Sequence, residues 1–216
     1  MIDDVCPISG ETLREEEINH RTHLIGLILS IIGLPFLIYY SAKHGDLSTV
    51  ASFTIYGITL VLLYVASTFY HGCKTLHHKE LLRILDHACI YLLIAGSYTP
   101  FMLGPLLDSD GIMILSIEWG IAAVGIFLKV FAVDRFKLAS LIGYLVMGWL
   151  VVFSWPILQE KLSLPAISLV ITGGLSYTFG TLFFVWEKLP FNHAIWHLFV
   201  LCGSICHYFA ILLLIS

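Results

Sequence analysis

The segment His193-Ala-Ile-Trp-His197 carries two histidines four residues apart. On a helix that spacing puts both imidazoles on one face, with Cβ atoms roughly 5–6 Å apart, close enough for one metal ion to bridge them. Taken alone, the pair fits two interfacial histidines bonded to neighbouring helices equally well. The rest of the sequence shifts the balance: His71 closes another apolar stretch, Ser67 stands one turn before it, and Asp86 opens a third. Three imidazoles with one open position are the donor set of a catalytic zinc, at about 2.0–2.1 Å per nitrogen. Zinc is favoured because imidazoles suit it and a non-redox role needs no sulfur or haem ligand, with iron and copper as the alternatives.

Asp86 has three readings in such a site: a fourth ligand, an acceptor behind the ligands, or the group that takes a proton from metal-bound water. It also suits a helix N-cap. Ser67 points along the face of His71, placed to bond the same water or a substrate, against the blander alternative of a bond to its own helix carbonyl. His87 points about 100° away from Asp86 and reads as interfacial. His207 lies roughly 15 Å beyond His197 along a helix axis, too far to share the ion. Glu118 sits inside an apolar stretch, where a carboxylate needs a partner or a wet cavity, and the sequence assigns it no role. Glu15, Glu16 and Glu17 read as a solvated first helical turn favoured by the helix dipole.

The elements that must hold these residues are set by composition. Of 216 residues, 58% are hydrophobic and 12% charged, with mean hydropathy +0.91, whereas soluble domains carry about 25% charged residues. Charged, Gly and Pro clusters divide the chain into seven apolar stretches, near 24–42, 49–71, 86–107, 111–131, 138–158, 164–186 and 193–215, each about the length a bilayer requires. Hydrocarbon offers the backbone no water, so each stretch is predicted to be a helix that satisfies its own hydrogen bonds. The expectation is an all-α integral membrane protein, a seven-helix bundle over 1–216 with 1–23 as a polar tail. Pro35 and Pro100 are expected to bend their helices, and Ser176 and Gly180, one turn apart, to permit close helix approach.

Seven crossings put the chain ends on opposite sides. Arg14, Arg21, Lys74, Lys79, Arg83, Lys129, Arg135, Lys137 and Lys188 share the tail's side, and only Lys43 and Lys161 fall on the other. That bias predicts a cytoplasmic N-terminus and Ser216 outside. It also brings His71, Asp86, His193 and His197 to one depth on the cytoplasmic side. The net charge of −4 gives no basic face for nucleic acid. Five cysteines form no Cys-x-x-Cys pair and imply no disulfide framework. The acidic start, with Asp3 and Asp4, lacks the features of a cleavable signal peptide.

The set Ser67-Thr-Phe-Tyr-His71, Asp86-His87 and His193-Ala-Ile-Trp-His197, with Glu16, Asn19 and His23 in a Glu-x-x-Asn-x-x-x-His pattern, resembles the hemolysin III family of bacterial membrane proteins. That family is grouped with the progestin and adipoQ receptors, in a superfamily that includes the alkaline ceramidases. The resemblance covers nearly the whole chain. It implies a multi-pass protein of the bacterial inner membrane with zinc near the cytoplasmic face, held by His71, His193 and His197, and Asp86 contacting the zinc-bound water. The superfamily is thought to contain membrane hydrolases of lipid amides. The long cytoplasmic tail of the eukaryotic receptors is missing here, which argues against receptor signalling.

Three functions are weighed. A zinc-dependent hydrolase of a lipid-like amide or ester, with Asp86 and Ser67 as catalytic groups, matches the donor set and its depth near the interface. A pore, as the family name suggests, would need a polar lining along its length, but the polar groups gather at one end. A receptor-like regulator with structural zinc would need an effector surface that short loops do not offer. The partners expected are the lipid bilayer and a lipid-like small molecule.

Overall fold

The computed structural model describes residues 5–133 and 135–215. Asp3, Asp4 and Ser216, used above for the tail and the topology, lie outside the described residues. Helices α1 (Leu13–His44), α2 (Leu47–Gly72), α3 (Leu76–Leu103) and α4 (Gly111–Ala132) are followed by α5 (Lys137–Trp149) and a 3-10 turn over Leu150–Ser154. Then come α6 (Trp155–Lys161), α7 (Leu164–Val185) and α8 (Asn192–Leu212). Among the described residues seven helical segments are long and apolar enough to cross a membrane, α5 to α6 counting as one. The only β pairing described is an isolated bridge between Val5 and Thr12.

Two boundaries depart from the sequence expectation. α1 starts at Leu13, well before the apolar run, because Thr12 and Glu15 form a capping box in which each side chain takes the other's backbone N–H. α3 starts at Leu76 behind Thr75, so Asp86 stands inside the helix and is not an N-cap. The third departure is the broken fifth span. Pro156 has no N–H to give the preceding turn, and the chain tightens into the 3-10 turn before resuming as α6. Tyr98 of α3 serves the break. Its hydroxyl donates at 2.8 Å to Met147 O and 3.1 Å to Gly148 O, and accepts from Val151 N at 2.9 Å.

α1, α2, α3 and α4 pack in chain order, α7 lies along α8, and α8 returns to α1 to close the bundle, while α5 touches α3, α4 and α7 more lightly. Small residues set the closest approaches. A Cβ on Gly96 of α3 would fall 2.1 Å from Thr59 Oγ1 of α2, and one on Gly26 of α1 would fall 2.2 Å from the Tyr64 ring. The expected Ser176 and Gly180 contact is present too: Ser176 Oγ donates to Phe199 O at 2.8 Å, and Gly180 faces Phe199 and Trp196. Pro35 and Pro100 lie inside α1 and α3. The outer surface shows Ile28, Ile32, Phe36, Phe131 and Phe153, an apolar exposure that water would not tolerate over such an area and hydrocarbon requires. α1, α3, α5 and α8 begin, and α2, α4 and α7 end, at the tail end of the bundle.

Candidate metal centre

The end of α2 and the start of α8 bring three imidazoles together at the tail end. His71, His193 and His197 each offer a nitrogen, and these atoms lie within 4.8 Å of one another. Ring centroids are 5.0 Å apart for His71 and His193, 5.0 Å for His71 and His197, and 4.6 Å for His193 and His197. His71 and His197 are buried and His193 half-buried. Nε2 of His71 is buried without a hydrogen-bond partner, which is costly unless a ligand completes it.

The opposite ring nitrogens face the N-terminal segment. Nδ1 of His71 donates to Glu16 Oε2 at 2.8 Å, Nδ1 of His197 lies 3.0 Å from Thr22 Oγ1 and 3.3 Å from Asn19 O, and Nδ1 of His193 is 3.6 Å from Glu11 Oε1. Oxygens behind metal-binding histidines fix tautomer and ring orientation, and this arrangement supplies one for each ring. Glu16 is therefore not part of a solvated turn. Its other oxygen pairs with buried Lys79 at 2.9 Å and also takes the Ser9 hydroxyl. Asn19 in turn donates to Glu11. Burial pushes the Glu11 carboxyl up to about 7, against the opposing pull of the His71 ring and the Asn19 amide.

The segment reaches these positions because residues 5–12 fold back over the bundle end. Gly10 takes φ +78°, open to glycine at little cost, and Arg83 donates to Ile8 O at 3.1 Å. Glu15 ties the tail to α8 by accepting from Phe191 N at 3.0 Å, at the left-handed residue (φ 59°) that precedes the helix.

Ser67 and Asp86 stand beside the cluster, not in it. Both line an open, largely apolar cavity with His23, His87, His193 and His197 also in its wall. Ser67 is fully buried and its hydroxyl has no partner, so it does not make the helix-carbonyl bond that is the common fate of such a serine. Asp86 is buried, with Oδ2 3.8 Å from Nδ1 of His87. His87 gives its ring N–H to Arg83 O of its own helix at 2.8 Å. His23 stacks on His197 at 3.4 Å between ring centroids, both its nitrogens unpaired. His207 lies apart, deeper in the cavity wall, and Glu118 is fully buried with no described hydrogen-bond partner.

Residues 11–208 match the family model described as Haemolysin-III related. The chain belongs to the hemolysin III family. It is 47% identical over 201 residues to the Hemolysin-3 homolog of Bacillus subtilis (strain 168), covering 93% of this chain and 94% of that protein. Against Hemolysin-3 of Bacillus cereus it is 49% identical over 203 residues, covering 93% and 91%. The human Monocyte to macrophage differentiation factor is 31% identical over 220 residues, covering 95% of this chain and 88% of that protein. The wider kinship with the progestin and adipoQ receptor family holds with it. This hemolysin III member is thus a multi-pass protein of a bacterial membrane type. The residues that sequence reasoning did not place at the centre are Glu11, Thr22 and Lys79; Glu16 and Asn19 were flagged through the family pattern and their place at the mouth of the first span.

Proposed function

We propose that this hemolysin III member is a zinc-dependent membrane hydrolase of a lipid-like amide or ester, with His71, His193 and His197 holding the ion. The observation that carries the reading is the meeting of three imidazole nitrogens within 4.8 Å at the end of a largely apolar cavity that also holds Asp86 and Ser67. The donor set fits zinc: three imidazoles, one with an orphaned Nε2, backed by oxygens at Nδ1. When bound, zinc supplies a Lewis acid that polarises a carbonyl and acidifies water at neutral pH.

The chain's own residues do the rest. The Asp86 carboxylate takes the proton of the attacking water and returns it to the leaving nitrogen or oxygen, so that a carbon–oxygen bond forms, the amide or ester bond breaks, and an acid and an amine or alcohol result. Ser67, with no competing partner, orients the carbonyl or the water. The apolar walls exclude bulk water and receive the acyl part. The excess of Lys and Arg at the tail end supports a cytoplasmic position for this chemistry.

The test compares purified wild type with the His193→Ala, His197→Ala double variant by metal analysis and by hydrolysis of N-acyl amides in detergent. About one zinc per chain and turnover in wild type, both lost in the variant, are expected. A rate unchanged by His197→Ala would overturn the reading.

A further inference from the structure

Many serines and threonines in the spans give their hydroxyl proton to a carbonyl of their own helix, as Ser30, Ser52, Thr59, Ser97 and Thr99 do. Ser154, at the end of the break in the fifth span, does not. It is wholly buried and its hydroxyl has no described partner. Glu118 of α4 is the same case with a charge: it is wholly buried and neither carboxylate oxygen has a described partner. We propose that Glu118 and Ser154 bind one small monovalent cation, of the size of sodium, in the half of the bundle away from the histidines. The site stands apart from the hydrolase reading and does not depend on it.

Packing puts the two side chains at one depth. Toward the tail, Ala95 of α3, Ala122 of α4 and Met147 of α5 share one buried cluster. Away from the tail, Met102 of α3, Ile114 of α4 and Leu158 of α6 belong to the main core. Between these layers the three elements carry polar residues: Tyr98 and Thr99, Glu118 and Trp119, and Ser154. Glu118 is one turn from both Ile114 and Ala122, so it shares their inward face. Ser154 falls between Met147 and Leu158 on the buried line of the fifth span. Trp119 fastens α4 to α3 at this level by giving its indole N–H to Thr99 Oγ1 at 3.3 Å. The Tyr98 hydroxyl, within the field of the Glu118 carboxylate, holds the turn that leads to Ser154 by accepting from Val151 N at 2.9 Å.

An ionised carboxyl in a span needs something to offset its charge. Among the described residues no Lys, Arg or His pairs with Glu118, and Lys129 on the same helix lies roughly 16 Å nearer the tail. A proton would remove the charge but add a buried O–H donor with no acceptor. A bridging water would make hydrogen bonds and leave the charge. A cation meets both needs: it neutralises the carboxylate and takes the Glu118 and Ser154 oxygens as ligands, the Ser154 proton turning to a carbonyl of its own helix. Hard oxygen donors select a hard ion over copper or zinc. One carboxylate balances one charge, so a divalent ion would leave excess positive charge in the hydrocarbon, and complete burial of both groups favours sodium or lithium over potassium. Broken spans are also where backbone carbonyls become open to sodium, and Ser154 closes such a break. The mouth at this end of the bundle is acidic: Asp108, Asp110 and Glu160 are exposed there, outweighing Lys161, and Asp110 is roughly 12 Å from Glu118 along the helix axis. Cations concentrate at such a mouth.

The test uses the purified full chain in sodium-free buffer, with choline chloride holding the ionic strength. Radiolabelled sodium in equilibrium dialysis should saturate at about one ion per chain, with lithium competing and potassium or calcium competing poorly. Glu118→Gln, which keeps the shape and removes the charge, should abolish binding. Ser154→Ala should weaken it about tenfold or more, as loss of one polar contact to a charge does. Melting temperature gives a second readout: sodium chloride in place of choline chloride should raise it in wild type, as a ligand of the folded state does, and leave Glu118→Gln unmoved. If Glu118→Gln does not fold, wild type and Ser154→Ala carry the test. No saturable sodium binding by wild type would overturn the proposal. So would a sodium affinity unmoved in Ser154→Ala, sodium binding or stabilisation retained in Glu118→Gln, or potassium competing as well as sodium itself.

Discussion

Glu16 Oε2 accepts the Nδ1 proton of His71 at 2.8 Å, leaving Nε2 as the nitrogen that can take a metal. The contact joins the first turns of α1 to the last turn of α2, and Lys79 holds the same carboxylate from α3 at 2.9 Å. Glu16→Ala should lower zinc affinity about 10–100-fold, read by competition with a chromophoric chelator. It also leaves buried Lys79 without its counter-charge, a loss of about 3–5 kcal/mol for a broken buried pair. Adding Lys79→Met should recover thermal stability without recovering zinc affinity. Zinc affinity restored by Lys79→Met would mean that Glu16 acts only on the fold.

Asp86 and Ser67 stand outside the histidine cluster but in its cavity, so the proposed chemistry can be tested apart from metal binding. Asp86→Asn should keep zinc content and lower turnover about 10²–10⁴-fold, the range for a positioned acid or base. Ser67→Ala removes a hydroxyl with no partner to strand, so its melting temperature should hold while turnover falls. Loss of zinc in Asp86→Asn would make Asp86 a ligand instead.

Tyr98 takes over hydrogen bonds that the 3-10 turn withdraws from the fifth span. Tyr98→Phe removes the hydroxyl that accepts from Val151 N and donates to Gly148 O and Met147 O, of which Met147 O keeps the Leu150 N–H, and a buried group left unsatisfied costs about 1–3 kcal/mol. The variant should unfold at lower temperature, with faster amide exchange confined to residues 147–155. Exchange rising equally along α1 and α2 would show that the hydroxyl serves the bundle as a whole.

Much of this arrangement was legible in the sequence, and the exceptions have physical causes. Apolar length found the spans because hydrocarbon leaves the backbone no other partner, and alternation of crossings brought His71, Asp86 and His193 to one end. Hydropathy sees neither caps nor amphipathic helix starts. The Thr12 to Glu15 capping box and the polar first turns of α3 were therefore read as tail and loop, and with the first of them the burial of Glu16 was missed. The capping box was available as a pattern, as was Pro156 as a mark of the break. The Glu11 contact with His193 was not, since it depends on a fold-back of residues 5–12 that no periodicity encodes. Helix packing at glycines belongs to the same class: a glycine in a span looks alike whether a neighbour presses on it, as at Gly26, or nothing lies within 4 Å, as at Gly174.

Gly96 is the pressed kind, and its position couples packing to chemistry. A Cβ there would stand 2.1 Å from Thr59 Oγ1 and 2.9 Å from both Thr59 Cβ and Cγ2, so rotating the threonine cannot clear it. α2 and α3 would have to move apart, carrying Ser67 and His71 away from Asp86. Gly96→Ala should destabilise by about 1–3 kcal/mol, as overpacking does, and lower turnover with zinc still bound by the histidines of α2 and α8. Thr59→Ala in the same chain removes Oγ1 and Cγ2 but keeps Cβ, so it should recover part of the stability and part of the turnover. Melting temperature and rate measured across this cycle give the coupling directly. Additive effects of the two substitutions would show that the helices do not meet at these residues.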